Sequence, residues 1–390
     1  MTRHYLRRAA AVALTSLALG AAVVTPRVHA AQQVQFTVTG STQMYTLGAL
    51  LANRYTSMHP DLRIDVEPSS SQSGFDTSCT NGAVVGMSDV YIQDSQLTEP
   101  GCNDMKGVPV AVSTTTVVYN LPGKYFTARA ADGFTLLHPV KLNAQVLADI
   151  YMGKVSRWND REITSLNPGV KLPSKDIQAF NSSEPGGAGF IFNQWLALSV
   201  PAWNKSVGVA LQPQWPATYS TGESSTGAMV QAIQGAPYSI GFAGFDYAIS
   251  YKLQAASLKN ASGTYLTPSL NGVSLAINKA LQLGFPSDFR KPFVTVPDLN
   301  RNQHAFNPAC FEFLVVHQDL TKHLPDAATR QAIKAFLEWT ISSAGGQAFI
   351  EQIEFRKVGS AGKTELAHGF VPVPEALRGA IKANVDSIKQ

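Results

Sequence analysis

Gln33 to Val38 (QVQFTV) alternates polar and apolar positions with a period of two, which predicts a strand. Leu47 to Met58 shifts to helical spacing, and Leu62 to Val66 alternates again. Strand, helix, strand opens a layered α/β fold. Ala83 to Val90 is an apolar strand ending on Ser88-Asp89, and Val108 to Asn120 is a Val- and Thr-rich strand region carrying Ser113-Thr114-Thr115-Thr116. Helices are predicted over Leu142 to Tyr151, Asp160 to Leu166, Phe190 to Leu198, Thr226 to Ile233, Ala327 to Thr340 and Pro374 to Ile388. Strands are predicted over Ile177 to Phe180, Tyr238 to Phe242 and Phe311 to Val316. Ser250 to Asn307 is polar and Pro-rich and predicts small strands and loops; the chain has no internal repeat.

Three polar, donor-rich loops each run into a predicted helix: Thr39 to Tyr45 (TGSTQMY), Glu67 to Phe75 (EPSSSQSGF) and Asn181 to Phe192 (NSSEPGGAGFIF). A helix N-terminus offers free backbone N–H groups at the positive end of its dipole, which holds small anions without side-chain charge. Any one loop is accounted for as an ordinary cap; the three together point to a cleft around a small polar ligand.

The length of 390 residues fits two domains or lobes. Arg3, Arg7 and Arg8 precede an apolar run from Ala9 to Val24, and Val28-His29-Ala30 is a small-x-small cleavage pattern. Residues 1–30 are therefore expected to be a signal peptide of the Sec type. With no Cys at the cleavage point, a lipid anchor is not expected, and the processed chain is expected in the periplasm or the medium. The leader carries four of the 31 basic residues and none of the 27 acidic ones, so the formal charge of +4 falls to zero without it. That balance gives no support to a nucleic-acid partner.

Of the three Cys, Cys79 and Cys102 lie 23 apart between turn residues, and export favours a disulfide between them. Cys310 reads as a buried free thiol. No CxxC or Cys/His spacing suggests zinc, and no metal or cofactor is expected. The chain has no GxSxG elbow, HExxH pair or P-loop, so an enzyme is not expected. The eight His, among them His59 and His317, read as surface or satisfied core residues, and the Trp as packing residues, with Trp215 and Tyr219 the candidates to line a cleft.

The stretch Val146 to Pro173, VLADIYMGKVSRWNDREITSLNPGVKLP, is similar to a signature of the periplasmic phosphate-binding proteins of the high-affinity phosphate ABC importer. Many unlike residue types match it in order: L-x-D-I-Y-x-G-K-x-x-x-W-x-D, then I-x-x-L-N-P-G. Further matches run through Phe190 to Leu196, Ser239 to Phe242, Phe313 to His317 and Val371 to Leu377, so the resemblance spans nearly the whole processed chain. It implies a type II periplasmic binding fold: two α/β lobes, two hinge crossings and a ligand cleft between them. The crossings fall near Ser113 to Tyr119 and near Phe306 to Leu314. Lobe one is then 31–112 plus 312–390, and lobe two 113–311. Closure around ligand is a hinge motion.

The resemblance also assigns site residues. Lobe-one donors fall on Ser41 and Thr42, with the register open by about a residue toward Met44 and Tyr45, and on Ser71 with Ser73. The family's acceptor carboxylate falls on Asp89, which would take a hydrogen bond from a protonated oxyanion and so select phosphate over fully ionised sulfate. In lobe two the family's Arg-x-Asp-Gly-Ser-Gly-Thr becomes Ser182-Ser183-Glu184-Pro185-Gly186-Gly187-Ala188. Binding there falls to Glu184, Gly186, Gly187 and Ala188. The Arg is gone, and a charge-assisted bond is about twice as strong as a neutral one. Pro185 also removes an N–H. A cleft holding Asp89 and Glu184 leans negative. The expected function is an extracytoplasmic solute-binding protein for phosphate or a related oxyanion, a monomer serving an ABC importer. A divergent binding or interaction protein with another ligand, or none, stays open beside it; a neutral polyol or a cation would suit two carboxylates.

Overall fold

The opening alternation becomes strand β1 (Val34–Ser41), the helical spacing becomes α1 (Tyr45–Met58), and the second alternation becomes β2 (Leu62–Ser69). β1 pairs with β2 in parallel, from Val34 opposite Leu62 to Ser41 opposite Ser69. The computed structural model describes residues 33–122, 127–129, 135–137, 139–282, 289–290, 304–358 and 364–390. The expected signal peptide lies outside the described residues.

Helix α2 (Ser71–Thr80) follows β2, and then β3 (Val84–Ser88) returns to pair with β1 on its other edge, again in parallel. The long Val- and Thr-rich stretch is one 16-residue strand, β4 (Met105–Asn120). The second half of the chain supplies β5 (Gln178–Ser182), α3 (Gly187–Ser199), β6 (Ser220–Glu223), α4 (Thr226–Gly235), β7 (Ser239–Gly244), α5 (Leu270–Gln282), β8 (Ala309–His317) and α6 (Ala327–Ile341). The main path of the ten-stranded sheet runs β2-β1-β3-β8-β4-β7-β5-β6.

β4 is shared by both halves of that path. From Met105 to Thr114 it pairs antiparallel with β8, and from Thr115 to Asn120 it pairs antiparallel with β7. The change of partner falls inside Ser113-Thr114-Thr115-Thr116, all four of them buried. The β8–β4 register shifts between Glu312 and Phe313. The extra residue is Val110 of β4, which has no partner between Glu312 opposite Ala111 and Phe313 opposite Pro109; such a bulge bends the strand locally. From Val34 to Gln390 the chain is one compact unit. Among the described residues no helix is long and apolar enough to cross a membrane.

Cys79 and Cys102 form a disulfide, and Cys310 is a buried free thiol. The stretch from Ser250 to Asn307 departs from its prediction. It holds the short strands Gln254–Ala255, Ser257–Lys259 and Tyr265–Leu266, but also the 13-residue helix α5. That helix buries Gly272, Val273, Ala276, Ile277 and Ala280. The spacing is helical, but three of the five are Gly or Ala, so the stripe is weak when read by hydrophobicity alone.

Helix α2 is seated by backbone contact. A Cβ on Gly74 would lie 2.8 Å from Gly40 Cα, 2.8 Å from Thr39 O and 2.9 Å from Met87 O. Only a residue without a side chain permits that approach, because main chain cannot rotate aside. Gly74→Ala is therefore expected to lower unfolding free energy by about 3 kcal/mol, at the upper end of overpacking costs. Urea denaturation of the two proteins measures it; a loss below about 1 kcal/mol would show that the helix moves off the strands easily.

Candidate functional site

Ser41 ends β1, Ser71 opens α2, Asp89 follows β3, and Glu184 to Gly186 link β5 to α3. All four are therefore placed at carboxyl ends of parallel strands, beside helix N-termini, where open α/β sheets carry ligands. α2 is capped by Ser70, whose side chain accepts from Ser73 N at 3.0 Å. Ser225 caps α4 in the same way through Ala228 N.

The loops from the two halves of the sheet meet. Gly187 N donates to Ser71 Oγ at 3.1 Å, and Ser71 Oγ donates to Asp89 Oδ2 at 3.4 Å. Ser41 Oγ donates to the same carboxylate oxygen. Gly187 has φ +55, and a Cβ there would sit 3.4 Å from Asp89 Oδ2, 3.5 Å from Glu184 Oε1 and 3.6 Å from Ser41 Oγ. Two carboxylates and one hydroxyl from three loops thus surround one point. Thr42 binds Glu184 twice, through its backbone N at 3.3 Å to Oε1 and its hydroxyl at 2.6 Å to Oε2. Thr42 Oγ1 also accepts from Thr226 N at 2.9 Å, at the start of α4. Gln72 N reaches Pro185 O at 3.3 Å, and Tyr247 OH donates to Thr42 O at 2.6 Å.

Four carboxyls lie buried in this region: Asp89, Glu184, Asp246 and Glu312. Burial raises the pKa of all four. Glu184 and Asp246 are each pushed up to about 7, with the charge of Asp89 adding to the effect of burial. Glu312 lies well above the carboxylate range, through burial and then the charge of Asp89. Burial also raises Asp89, against hydrogen bonds from Glu312, Ser41 and Ser71. If all were ionised, Asp89 Oδ1 and both Glu312 oxygens would be buried acceptors with no donor. Glu312, which burial holds well above the carboxylate range, provides a donor when it is protonated.

Of the residues expected from sequence, Ser41, Thr42, Ser71, Asp89, Glu184 and Gly187 are brought together. Gly186 N is turned away, donating to Leu211 O at 2.7 Å. Ser73 N is taken by the Ser70 cap. Ala188 is buried in the first turn of α3. Ser182, where the family signature has Arg, folds back on its own loop: its hydroxyl accepts from Glu184 N at 3.2 Å. Trp215 Nε1 donates to Ser182 O at 2.9 Å and its ring packs on Tyr151, Phe192 and Phe242. Sequence reasoning missed Glu312, Asp246 and Thr226. A charged residue inside the apolar strand Phe311 to Val316 was the available signal for Glu312. Beside Thr42 a cleft of about 550 Å³ opens, walled by Tyr45, Ser69, Ser225, Asp246, Tyr247 and Tyr251. Its size suits a small molecule.

A sequence profile for the PBP superfamily domain matches residues 25–344. The chain is 30% identical over 268 residues to the phosphate-binding protein PstS of Xylella fastidiosa (strain 9a5c), covering 67% of this chain and 65% of that one. The chain thus spans less than two thirds of that relative's length. It is 27% identical over 338 residues to the phosphate-binding protein PstS of Methanocaldococcus jannaschii, covering 82% of this chain and 78% of the relative. Among solved structures, a high affinity periplasmic phosphate-binding protein (PfluDING) bound with phosphate superposes with a TM-score of 0.64 at 15% identity, covering 91% of this chain and 99% of that one. At that identity the likeness speaks for the fold alone.

The buried carboxyls make stability depend on pH. Each has a folded pKa above its unfolded value, so the folded state holds protons that the unfolded chain has released. The stability they contribute is complete below the ordinary carboxylate range and is lost as pH rises through about 7, the value for Glu184 and Asp246. In phosphate-free buffer, the unfolding free energy is expected to fall between about pH 5 and pH 8, with Glu184 alone contributing on the order of 3 kcal/mol. Glu184→Gln should flatten that fall. Urea titrations across the window check it, and a free energy that is level or rising would contradict it.

Proposed function

The chain belongs to the PBP superfamily, and on that premise we propose that it is an extracytoplasmic solute-binding protein for phosphate or a related small oxyanion. It hands that ligand to an ABC importer, as a monomer, in a binding rather than a catalytic role. The observation that carries the reading is the hydrogen-bonded chain from Gly187 N through Ser71 Oγ to Asp89 Oδ2, which Ser41 Oγ joins, so that donors from both halves of the sheet gather at one carboxylate. Hydroxyls and a main-chain amide suit oxyanion oxygens. A carboxylate among them suits an oxygen that still bears a proton. The lobes hinge where β4 changes partner, between Thr114 and Thr115.

The departure from the family's loop has a definite chemical effect. Glu184 takes the Thr42 amide and hydroxyl. An incoming anion that uses those donors displaces Glu184 first. With its carboxyl pushed up to about 7, Glu184 is near half-charged at neutral pH, which lessens its repulsion of the ligand.

A second reading has one observation in its favour: the four buried carboxyls suit a neutral or cationic guest better than a dianion. A native mass spectrum of gently purified protein separates the readings, since finding only phosphate bound removes the second.

Calorimetry with phosphate on ligand-stripped protein is expected to give one binding event. Glu184→Gln should tighten it by about tenfold, about 1.4 kcal/mol, by removing the competing charge. Asp89→Asn should narrow the preference for phosphate over sulfate. No heat at millimolar phosphate would overturn the proposal.

A further inference from the structure

β8 carries Glu312 within its first half and His317 at its last position, opposite Met105. Five steps of strand separate them by about 17 Å. The His317 side chain is 1% exposed, yet both ring nitrogens are engaged. Nε2 is 2.9 Å from the Cys79 carbonyl oxygen, and Nδ1 is 2.8 Å from Asp104 Oδ1. A carbonyl oxygen only accepts, so Nε2 carries a proton. A neutral imidazole has no second N–H, and its Nδ1 then presents a lone pair to a carboxylate oxygen. That contact is repulsive unless a positive charge lies between the two atoms.

A third group completes the arrangement. His323, in the short helix Leu320–His323, brings Nε2 to 3.6 Å from the same Asp104 Oδ1. Its ring lies flat on that of His317, with centroids 3.4 Å apart and planes 5° from parallel. A second proton on His317 would satisfy Nδ1 but leave the His323 nitrogen beside the same oxygen without a role. One cation could serve all three once the His323 ring leaves the stack, since a metal bonds imidazole nitrogen in the plane of its ring.

We propose that Asp104 Oδ1, His317 Nδ1 and His323 Nε2 bind a divalent transition-metal ion of the zinc class, with solvent completing its coordination. The three ligand atoms lie within 4.8 Å of one another. Two imidazoles and one carboxylate are a ligand set that suits zinc and its neighbours, and three protein ligands leave a position for water. The surroundings already orient the ligands. The Cys79 carbonyl fixes the His317 tautomer, and Asp319 N donates to Asp104 Oδ2 at 3.2 Å, which turns Oδ1 toward the rings. Cys79 is tied to Cys102, two residues before Asp104, so the disulfide braces the site from below. Asp104 and His323 keep 22% and 24% of their side chains exposed, giving an ion its way in. Coordination by His323 requires its ring to turn out of the stack on His317.

The test uses the full chain stripped with EDTA, with zinc chloride as the probe. Calorimetry is expected to show one zinc per chain and thermal unfolding to shift upward. His323→Ala should weaken zinc by more than about tenfold. Phosphate calorimetry on the same variant should match the unaltered protein, so a failure of the zinc site and a failure of the phosphate reading are seen separately. Cobalt(II) added to the unaltered chain should give the intense visible absorption of a low-coordinate site with nitrogen ligands, a readout that needs no variant. No zinc uptake, equal zinc affinity in His323→Ala, or a cobalt spectrum no different from the aqueous ion would each overturn the proposal.

Discussion

Strand β4 is the element on which the continuity of the main sheet depends. Its ladder to β8 and its ladder to β7 are consecutive stretches of one backbone, and they exchange at Thr114 and Thr115. Every loop of the candidate site hangs from a strand tied to one ladder or the other. Side chains at the exchange add to the continuity. Thr115 Oγ1 donates to Gln43 Oε1 at 3.1 Å, and Thr114 Oγ1 donates to Pro308 O. Thr114 and Thr115 thus supply hydrogen bonds inside the sheet without a buried ion's desolvation cost.

The electrostatics follow from that geometry. Burial, not attraction, governs the titration of Asp89, Glu184, Asp246 and Glu312. The charge of Asp89 further disfavours ionisation of Glu184, Asp246 and Glu312, so these acids lean toward their neutral forms. A site of this kind differs from one built around an arginine. It offers neutral donors and partly protonated acceptors, and discrimination among guests falls to hydrogen-bond direction more than to Coulomb attraction. Thr42 holding Glu184 and Ser71 holding Gly187 also mean that the two halves touch through the same groups proposed to hold ligand.

Much of this was open to reading along the chain. Period-two alternation found β1 and β2, and the donor-rich loops marked the three segments, because helix entry has a strong local signature; the choice of Ser41, Thr42, Ser71, Glu184 and Gly187 within them came from the resemblance. Asp89 was reached through its position after an apolar strand and through resemblance. Glu312 and Asp246 were not, since their roles come from tertiary neighbours 223 and 157 positions away from Asp89 in sequence. The approach of Asp104, His317 and His323 was invisible for the same reason: strand pairing and a short helix, not spacing, bring them together. Helix α5 was missed because Gly and Ala carry little hydrophobic contrast even when they pack closely. Gly186 and Ser73 show the opposite limit. Their residue types fit a ligand loop, but the direction of a backbone N–H is a property of the turn, and both amides are committed to the protein itself.

The seating of α2 has a broader meaning. Gly74 rests on Gly40 and on the Thr39 and Met87 carbonyls, while Gly86 would meet the Gly74 carbonyl. The hydroxyl of Ser71 is thereby registered against peptide units, whose dimensions are the same in every protein. Substitutions among the surrounding Leu, Val and Phe can reshape the oily interior while this anchoring stays put. Such a scaffold lets a lineage drift widely in its packing residues and still present an unaltered grip, so long as a few positions lacking a side chain are kept.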